Sequence, residues 1–243
     1  MAGFSGVVVL TGLVLPQLLA RLPEMLGPKA PPVPLPLWML MMLSMAQSAV
    51  LLALAVWVGT ALTPAVGLHA PAFEAIVNRS PIAHALTPQL VPGLIGGTFG
   101  AILIAAFSLL APPELAAAQK RFDVPLIARV LYGGFTEEIL LRWGFMTLLV
   151  WVAWRFFQRR AGSPKPMSVW IAITVSALVF GAGHLPAAAL LIGRLSPLVV
   201  GFVVAANALF GTMAGYLFWR YGLEAAITAH AFAHVLNYVI AMF

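Results

Sequence analysis

The sequence lacks cysteine and is poor in charge, and each shortage excludes a class of protein. None of the 243 residues is cysteine, so disulfide bonds and thiolate metal sites are excluded. Charged residues make up 8% of the chain, against about 25% in soluble domains. A soluble fold could not cover its exterior with so few charges. Lipid must therefore surround most of the protein.

Apolar residues are correspondingly abundant, at 62% of the chain. A membrane-spanning helix needs roughly 20 mostly apolar residues. Seven stretches approach or exceed this length, namely residues 3–22, 37–62, 91–111, 126–157, 168–183, 198–219 and 223–243. The short stretch 187–192 would add an eighth span if it crosses the membrane. We therefore predict an all-α, polytopic transmembrane helix bundle with seven or eight spans, forming a single membrane domain over residues 1–243.

The segments between these stretches are read as connectors. Residues 23–36 are rich in proline, residues 64–90 suit a loop with a short interfacial helix, and residues 114–123 are polar. The net charge of +6 is expected to face anionic lipid headgroups, and no nucleic-acid partner is expected. Within the span 91–111, glycines at four-residue spacing predict close helix packing; the pairs are Gly93/Gly97 and Gly96/Gly100.

Several ionisable residues remain inside the predicted spans. A charge at the centre of a bilayer costs on the order of 3 kcal/mol or more, so each such residue needs a partner or a function. These residues are Glu137, Glu138, Arg142, His184, His230 and His234, with Asn237 as a neutral companion.

The first group lies in the span 126–157. Glu138 and Arg142 are four residues apart, so on a helix they share a face and can form an ion pair. Glu137 is rotated by about 100° from Glu138 and is left without that partner. A carboxyl group in an apolar setting suits a general base. The alternative for Glu137 is a residue at the start of a helix, with Thr136 as the N-cap.

The other two groups contain histidine. His184 lies between a glycine-rich helix end and Pro186, where a capping role and a catalytic role are both reasonable. His230 and His234 are four residues apart and face the same way, as in metal sites and proton relays. If the three groups converge, their carboxylate, guanidinium and imidazoles can activate water and stabilise an oxyanion, which amide hydrolysis requires.

These groups carry a resemblance to a known family. Glu137-Glu138-Ile-Leu-Leu-Arg142 fits the pattern E-E-x-x-x-R, and Phe180-Gly-Ala-Gly-His184 fits F-x-x-x-H. A third pattern, H-x-x-x-N/D, begins at His230 but has histidine in its last position. Over residues 128–237 the chain resembles the CPBP intramembrane proteases, which include the CAAX prenyl endopeptidases and bacterial Abi-type proteins. The resemblance implies that residues 128–237 form the catalytic core.

The resemblance also implies a role for each residue. Glu137 would be the base that activates water, His184 would assist it, and His230 would help bind the oxyanion. His234 takes the position of the family's Asn, and Asn237, one turn later, is a substitute for it. The remaining pair, Glu138 and Arg142, would hold the site together.

The activity implied is that of an intramembrane endopeptidase in the cell membrane. It would hydrolyse a peptide bond near the membrane surface in a membrane-associated peptide or protein, such as a prenylated one. Glu137, His184 and His230 suit a Zn²⁺ site and equally a metal-free glutamate mechanism, so the cofactor stays open. One alternative is an inert scaffold or immunity protein of the same fold, which only the His234 departure favours. The other is a proton-coupled transporter, which predicts internal repeats that this sequence lacks.

Overall fold

The structure is a computed structural model that describes residues 2–27 and 35–242. Within those ranges the chain is helical and forms no strand, as expected in lipid, where backbone groups must find partners within the protein. In chain order the helices are α1 (residues 2–26), α2 (Leu37–Val66), α3 (Pro71–Val77), α4 (Ile82–Leu109), α5 (Pro113–Arg121), α6 (Leu126–Phe157), α7 (Pro166–Gly183), α8 (Leu185–Ile192), α9 (Pro197–Tyr221) and α10 (Leu223–Ile240). The predicted all-α bundle is confirmed.

Six helical segments of the described chain are long and apolar enough to cross a membrane. They are α1, α2, α4, α6, α9 and the stretch Pro166–Ile192, which joins α7 to α8. The seventh predicted span corresponds to α10, which is not among the six. Its polar residues lower its hydropathy, and they include Glu224, His230, His234 and Asn237. The helices are nevertheless those of a multi-pass membrane protein.

Some predicted boundaries were wrong. Helix α4 begins at Ile82 rather than at residue 91, so the end of the predicted loop 64–90 is helical. Pro88 and Pro92 lie inside this helix, because neighbouring membrane helices can satisfy the backbone groups that proline frees. The short helix expected in that region is α3, and the polar segment 114–123 forms α5. Of the proline-rich connector 23–36, residues 28–34 lie outside the described residues, as does Phe243 at the chain end.

Helix α10 is the packing centre of the site-bearing part of the fold. It packs most extensively against α4 and also contacts α6 and α9. The glycines of α4 make this approach possible, because a Cβ atom on Gly97 would lie 2.8 Å from the Ala229 carbonyl oxygen. A Cβ atom on Gly93 would lie 2.7 Å from the Thr228 side chain. The close packing predicted from glycine spacing is confirmed.

Helix α6 is one continuous helix, and Gly133-Gly134 does not divide it. Its stretches Arg129–Glu137 and Ile139–Met146 have π-helical hydrogen bonds, which widen the helix. Such widening is rare and is frequent at functional sites. The first stretch packs against α1 and the second against α2. Neighbouring helices therefore contact α6 on both sides of Glu137 and Glu138.

Candidate active site

Glu137 is the last residue of the first widened stretch of α6, and Glu138 lies between the two stretches, in the middle of the helix. The alternative of a helix start at Thr136 is therefore wrong, because the helix begins at Leu126, more than two turns earlier. The Thr136 hydroxyl instead donates to the Gly3 carbonyl oxygen at 2.6 Å. Thr136 thus fixes α6 against α1 and does not cap a helix.

Glu138 forms the buried side of the site. Its Oε2 atom lies 3.2 Å from Arg142 Nε, and both side chains are at most 1% exposed. Its Oε1 atom accepts a hydrogen bond from His230 Nδ1 at 2.8 Å. The predicted Glu138–Arg142 pair is present, and it extends to a histidine on α10 that the helical spacing alone did not indicate.

Arg142 connects this pair to two further helices. Its Nη2 atom donates to the Gly211 carbonyl oxygen on α9 at 3.2 Å. Its guanidinium carbon lies 4.8 Å from the centre of the Phe180 ring on α7, within range of a cation–π interaction. A buried arginine is tolerated when its charge is paired and hydrogen-bonded. These contacts tie α6, α7, α9 and α10 together behind the site.

His230 contacts both glutamates. While its Nδ1 atom faces Glu138, its Nε2 atom lies 3.9 Å from Glu137 Oε2. The ring is held on its sides by Phe210, with ring centres 4.6 Å apart, and by Phe180, at 6.0 Å. Because a carboxylate only accepts hydrogen bonds, the Nδ1 atom carries a proton. The Nε2 atom is thereby directed towards Glu137.

His184 lies at the end of α7, as its glycine-rich approach predicted. Its Nδ1 atom is 2.9 Å from the Phe180 carbonyl oxygen, and a carbonyl oxygen can only accept. Nδ1 therefore carries the proton, and Nε2 of the neutral ring has a free lone pair. That lone pair is suited to accepting a proton or positioning a water molecule.

A cavity of about 1050 Å³ joins these residues. Its wall includes the three predicted catalytic residues, Glu137, His184 and His230, and two of the predicted supporting residues, His234 and Asn237. Glu138 and Arg142 are not part of the wall. The structure thus brings the predicted residues together and separates them into a cavity side and a buried side.

His234 stacks on His230, with ring centres 5.1 Å apart and planes inclined by 30°. Both rings approach α6 at Gly133, where a Cβ atom would lie 3.1 Å from His230 Nε2 and 3.2 Å from His234 Nε2. Only glycine leaves room for the two rings at this point. His234, which departs from the family pattern, is therefore packed against His230, which fits it.

Sequence reasoning missed other polar residues of the cavity wall. They include Arg129 and Tyr132 on α6 and Asn207 on α9. Asn207 is a polar residue inside a predicted span, a signal that could have identified it. Tyr132 precedes Glu137 by five residues, a spacing that places two residues on one face only where the helix is widened. The sequence gives no sign of that widening.

The described residues do not fit a metal centre as they are arranged. No group of three or more His, Cys, Asp or Glu side chains in this part of the chain could hold a metal ion. The Nδ1 atoms of His184 and His230 are engaged by Phe180 and Glu138, which leaves their Nε2 atoms as the nitrogens available to a ligand. Glu137 Oε2 and His230 Nε2 lie 3.9 Å apart in the cavity wall.

Residues 121–236 match the sequence model of a family described as type II CAAX prenyl endopeptidase, Rce1-like. The match includes all three motif groups and ends one residue before Asn237. Over these residues, the chain is similar to the CPBP/CAAX protease family. The match supports the resemblance drawn from the motifs and, at the level of the family, a CAAX-type intramembrane protease. No curated protein and no solved structure matches the chain.

Proposed function

We propose that the protein is an intramembrane endopeptidase in which Glu137 activates the attacking water molecule. One observation carries the proposal: Glu137, His184 and His230 come from α6, α7 and α10 and line one cavity. Three polar groups from three apolar helices are costly to bury unless they act together. Their types are those that hydrolysis of an amide requires.

The first step is attack by water. The Glu137 carboxylate takes a proton from water as the water oxygen bonds to the carbonyl carbon, and the carbonyl oxygen becomes an oxyanion. The free lone pair of His184 orients the same water molecule. In its protonated form, His230 donates from Nε2 to the oxyanion, while Glu138 at Nδ1 stabilises the positive ring.

The second step breaks the peptide bond. The proton held by Glu137 passes to the nitrogen of the leaving group as the carbon–nitrogen bond breaks, and the oxyanion returns to a carbonyl. The products are one carboxylic acid and one amine, and Glu137 is again a carboxylate. Glu138 and Arg142 take no part in the proton transfers. Their contacts to α7, α9 and α10 hold His230 in position.

The substrate we propose is a membrane-associated peptide or protein, such as a prenylated one, cleaved near the surface of the cell membrane. The cavity wall is largely apolar, and the three residues proposed to act on the substrate come from α6, α7 and α10. Such a wall suits a chain that arrives from the lipid phase with an apolar group attached. His234 supplies a hydrogen-bond donor in place of the family's Asn, and Asn237 lies one turn away.

The proposal is tested with Glu137→Gln, which keeps the shape of the side chain and removes the base. Cleavage of a membrane-anchored reporter peptide in proteoliposomes should fall by roughly 10²–10⁴-fold, the usual contribution of a general base. Glu114→Gln is the matched control, because Glu114 is exposed and lies on α5 outside the cavity wall. Unchanged cleavage by Glu137→Gln would overturn the proposal. Biological function that persists without cleavage would favour a scaffold.

The role of metal is tested separately on purified protein. Elemental analysis and cleavage after treatment with a chelator distinguish a Zn²⁺ centre from a glutamate mechanism. Cleavage that survives the chelator would support the glutamate mechanism. Loss of cleavage, restored by Zn²⁺, would assign the ion to the Glu137 carboxylate and to Nε2 of His184 and His230.

A further inference from the structure

One face of α6 runs along the cavity from its first turn to the proposed base. Arg129, Tyr132, Gly133 and Glu137 all belong to the cavity wall. Arg129 lies near the start of the helix, and Glu137 lies deeper in the bundle. The cavity therefore has a guanidinium at one point along this face and the reactive carboxylate at another.

The Arg129 side chain is held in place but is not fully engaged. Its Nε atom donates to the Val124 carbonyl oxygen at 2.7 Å, and its Nη2 atom donates to the Asp123 carboxylate. Nη1 takes part in neither contact. The Arg129 side chain is 24% exposed and that of Asp123 is 74% exposed. An ion pair with such an exposed partner contributes little and is easily exchanged.

We infer that Arg129 binds the free C-terminal carboxylate of the peptide substrate. A guanidinium presents parallel N–H groups that match a carboxylate, and Asp123 already places a carboxylate against this one. The C-terminus is the carboxylate that every unmodified peptide carries at a fixed distance from its last peptide bonds. The inference rests on the proposed function, because it assumes that a peptide occupies the cavity.

The separation between Arg129 and Glu137 gives this binding a consequence for the cleavage position. Eight residues of α-helix rise about 12 Å, and wider turns rise less. Because the guanidinium points back towards Val124, an extended peptide of roughly three to five residues, at about 3.4 Å each, bridges the two groups. Arg129 would then determine which peptide bond reaches Glu137 by measuring from the C-terminus.

The test compares one reporter peptide in two forms, with a free C-terminal acid and with a C-terminal amide. For the unmodified protein we expect the amide to have a KM roughly 10–100-fold higher, as for loss of a charge-assisted hydrogen bond. Arg129→Gln should raise the KM of the acid to that of the amide and leave kcat and the amide's KM nearly unchanged. Arg155→Gln, at the other end of α6 and outside the cavity wall, should behave as the unmodified protein.

The outcomes separate this inference from the proposed function. If neither peptide is cleaved, the proposed function fails. If both are cleaved equally well by the unmodified protein, the inference fails and the proposed function stands. Asp123→Asn removes the competing carboxylate, so the KM of the acid should fall or stay the same. A loss equal to that of Arg129→Gln would mean that the ion pair matters only for the fold, which would overturn the inference.

A second measurement maps the cleaved bond by mass spectrometry. Adding one residue to the C-terminus of the acid peptide should move the cleaved bond one residue along, so that the released fragment keeps its length. Cleavage that stays at the original bond would contradict measurement from the C-terminus.

Discussion

Glu137 and Glu138 are neighbours in sequence, yet their surroundings are opposite. The Glu138 side chain is fully buried and contacts Arg142 and His230, whereas 18% of the Glu137 side chain is exposed, in the cavity wall. One carboxylate is fixed by charge, and the other is free to meet water. The difference shows how a bundle of apolar helices can hold a reactive acid in place through an unreactive one beside it.

The connection between the two sides is the His230 ring. One nitrogen faces the fixed carboxylate and the other faces the free one. Because Arg142 also reaches α9 and the Phe180 ring, a change on the buried side should spread to the fold. A change on the cavity side should remain local.

The largest effect is expected from Glu138→Ala. It leaves the Arg142 guanidinium buried without its carboxylate, and breaking a buried pair in this way typically costs about 3–5 kcal/mol. The unfolding transition of the protein in detergent should shift accordingly. A shift no larger than that of an exposed control such as Glu114→Ala would contradict the assignment of Glu138 to the buried side.

Replacing both partners should be milder than replacing one. The double variant Glu138→Met/Arg142→Leu removes both charges, and such exchanges recover stability because no ion is left unpaired. We expect it to regain most of the roughly 3–5 kcal/mol that Glu138→Ala loses, because replacing a buried pair by apolar residues is often neutral. Cleavage should stay low, because His230 loses the acceptor at Nδ1. Full activity in the double variant would show that the Glu138–His230 contact is unnecessary.

Gly133→Ala tests the packing between the two sides. Its methyl group would lie 3.1 Å from His230 Nε2 and 3.2 Å from His234 Nε2, so the rings must move. Overpacking of this kind costs about 1–3 kcal/mol, and cleavage should fall because His230 turns away from Glu137. Gly201→Ala is the control, since a Cβ atom there meets nothing within 4 Å and Gly201 lies outside the cavity wall.

A smaller effect is expected from His234→Asn, which introduces the residue of the family pattern. The exchange removes the stacked ring at 5.1 Å, and stacked aromatic pairs contribute about 0.5–1.5 kcal/mol. Asparagine still offers a hydrogen-bond donor, so cleavage should be retained. Loss of cleavage would mean that His234 has a function of its own.

The smallest change in stability is expected for Glu137→Gln. Its carboxylate makes no ion pair with Arg142, and substitutions away from such networks usually stay within about 0.5 kcal/mol. The unfolding transition should therefore match that of the unmodified protein even though cleavage is lost. A large destabilisation would mean that Glu137, like Glu138, belongs to the buried network that stabilises the fold.

The sequence alone predicted the helical bundle and the Glu138–Arg142 pair, because both depend on local information. Hydropathy marks a span, and a four-residue spacing marks a shared helix face. The Glu138–His230 contact joins α6 to α10 across the fold, so the helical spacing within either segment could not indicate it. The start of α4 was misplaced because residues 64–90 mix polar side chains such as His84 with apolar ones, a pattern that predicts a loop. Pro88, a residue type that usually breaks helices, is accommodated inside α4 by packing.

The adjacent positions of Glu137 and Glu138 in α6 have a consequence for how this site tolerates change. Each residue advances the chain by about 100° around the axis of an α-helix and by less where the helix is widened, so inserting or deleting one residue before Glu137 turns every later side chain relative to the earlier ones. The two acids are chemically alike and one step apart. Which of them meets the substrate is thus decided by helical phase and not by residue type. A length change in α6 should be far more damaging than a substitution at most of its positions.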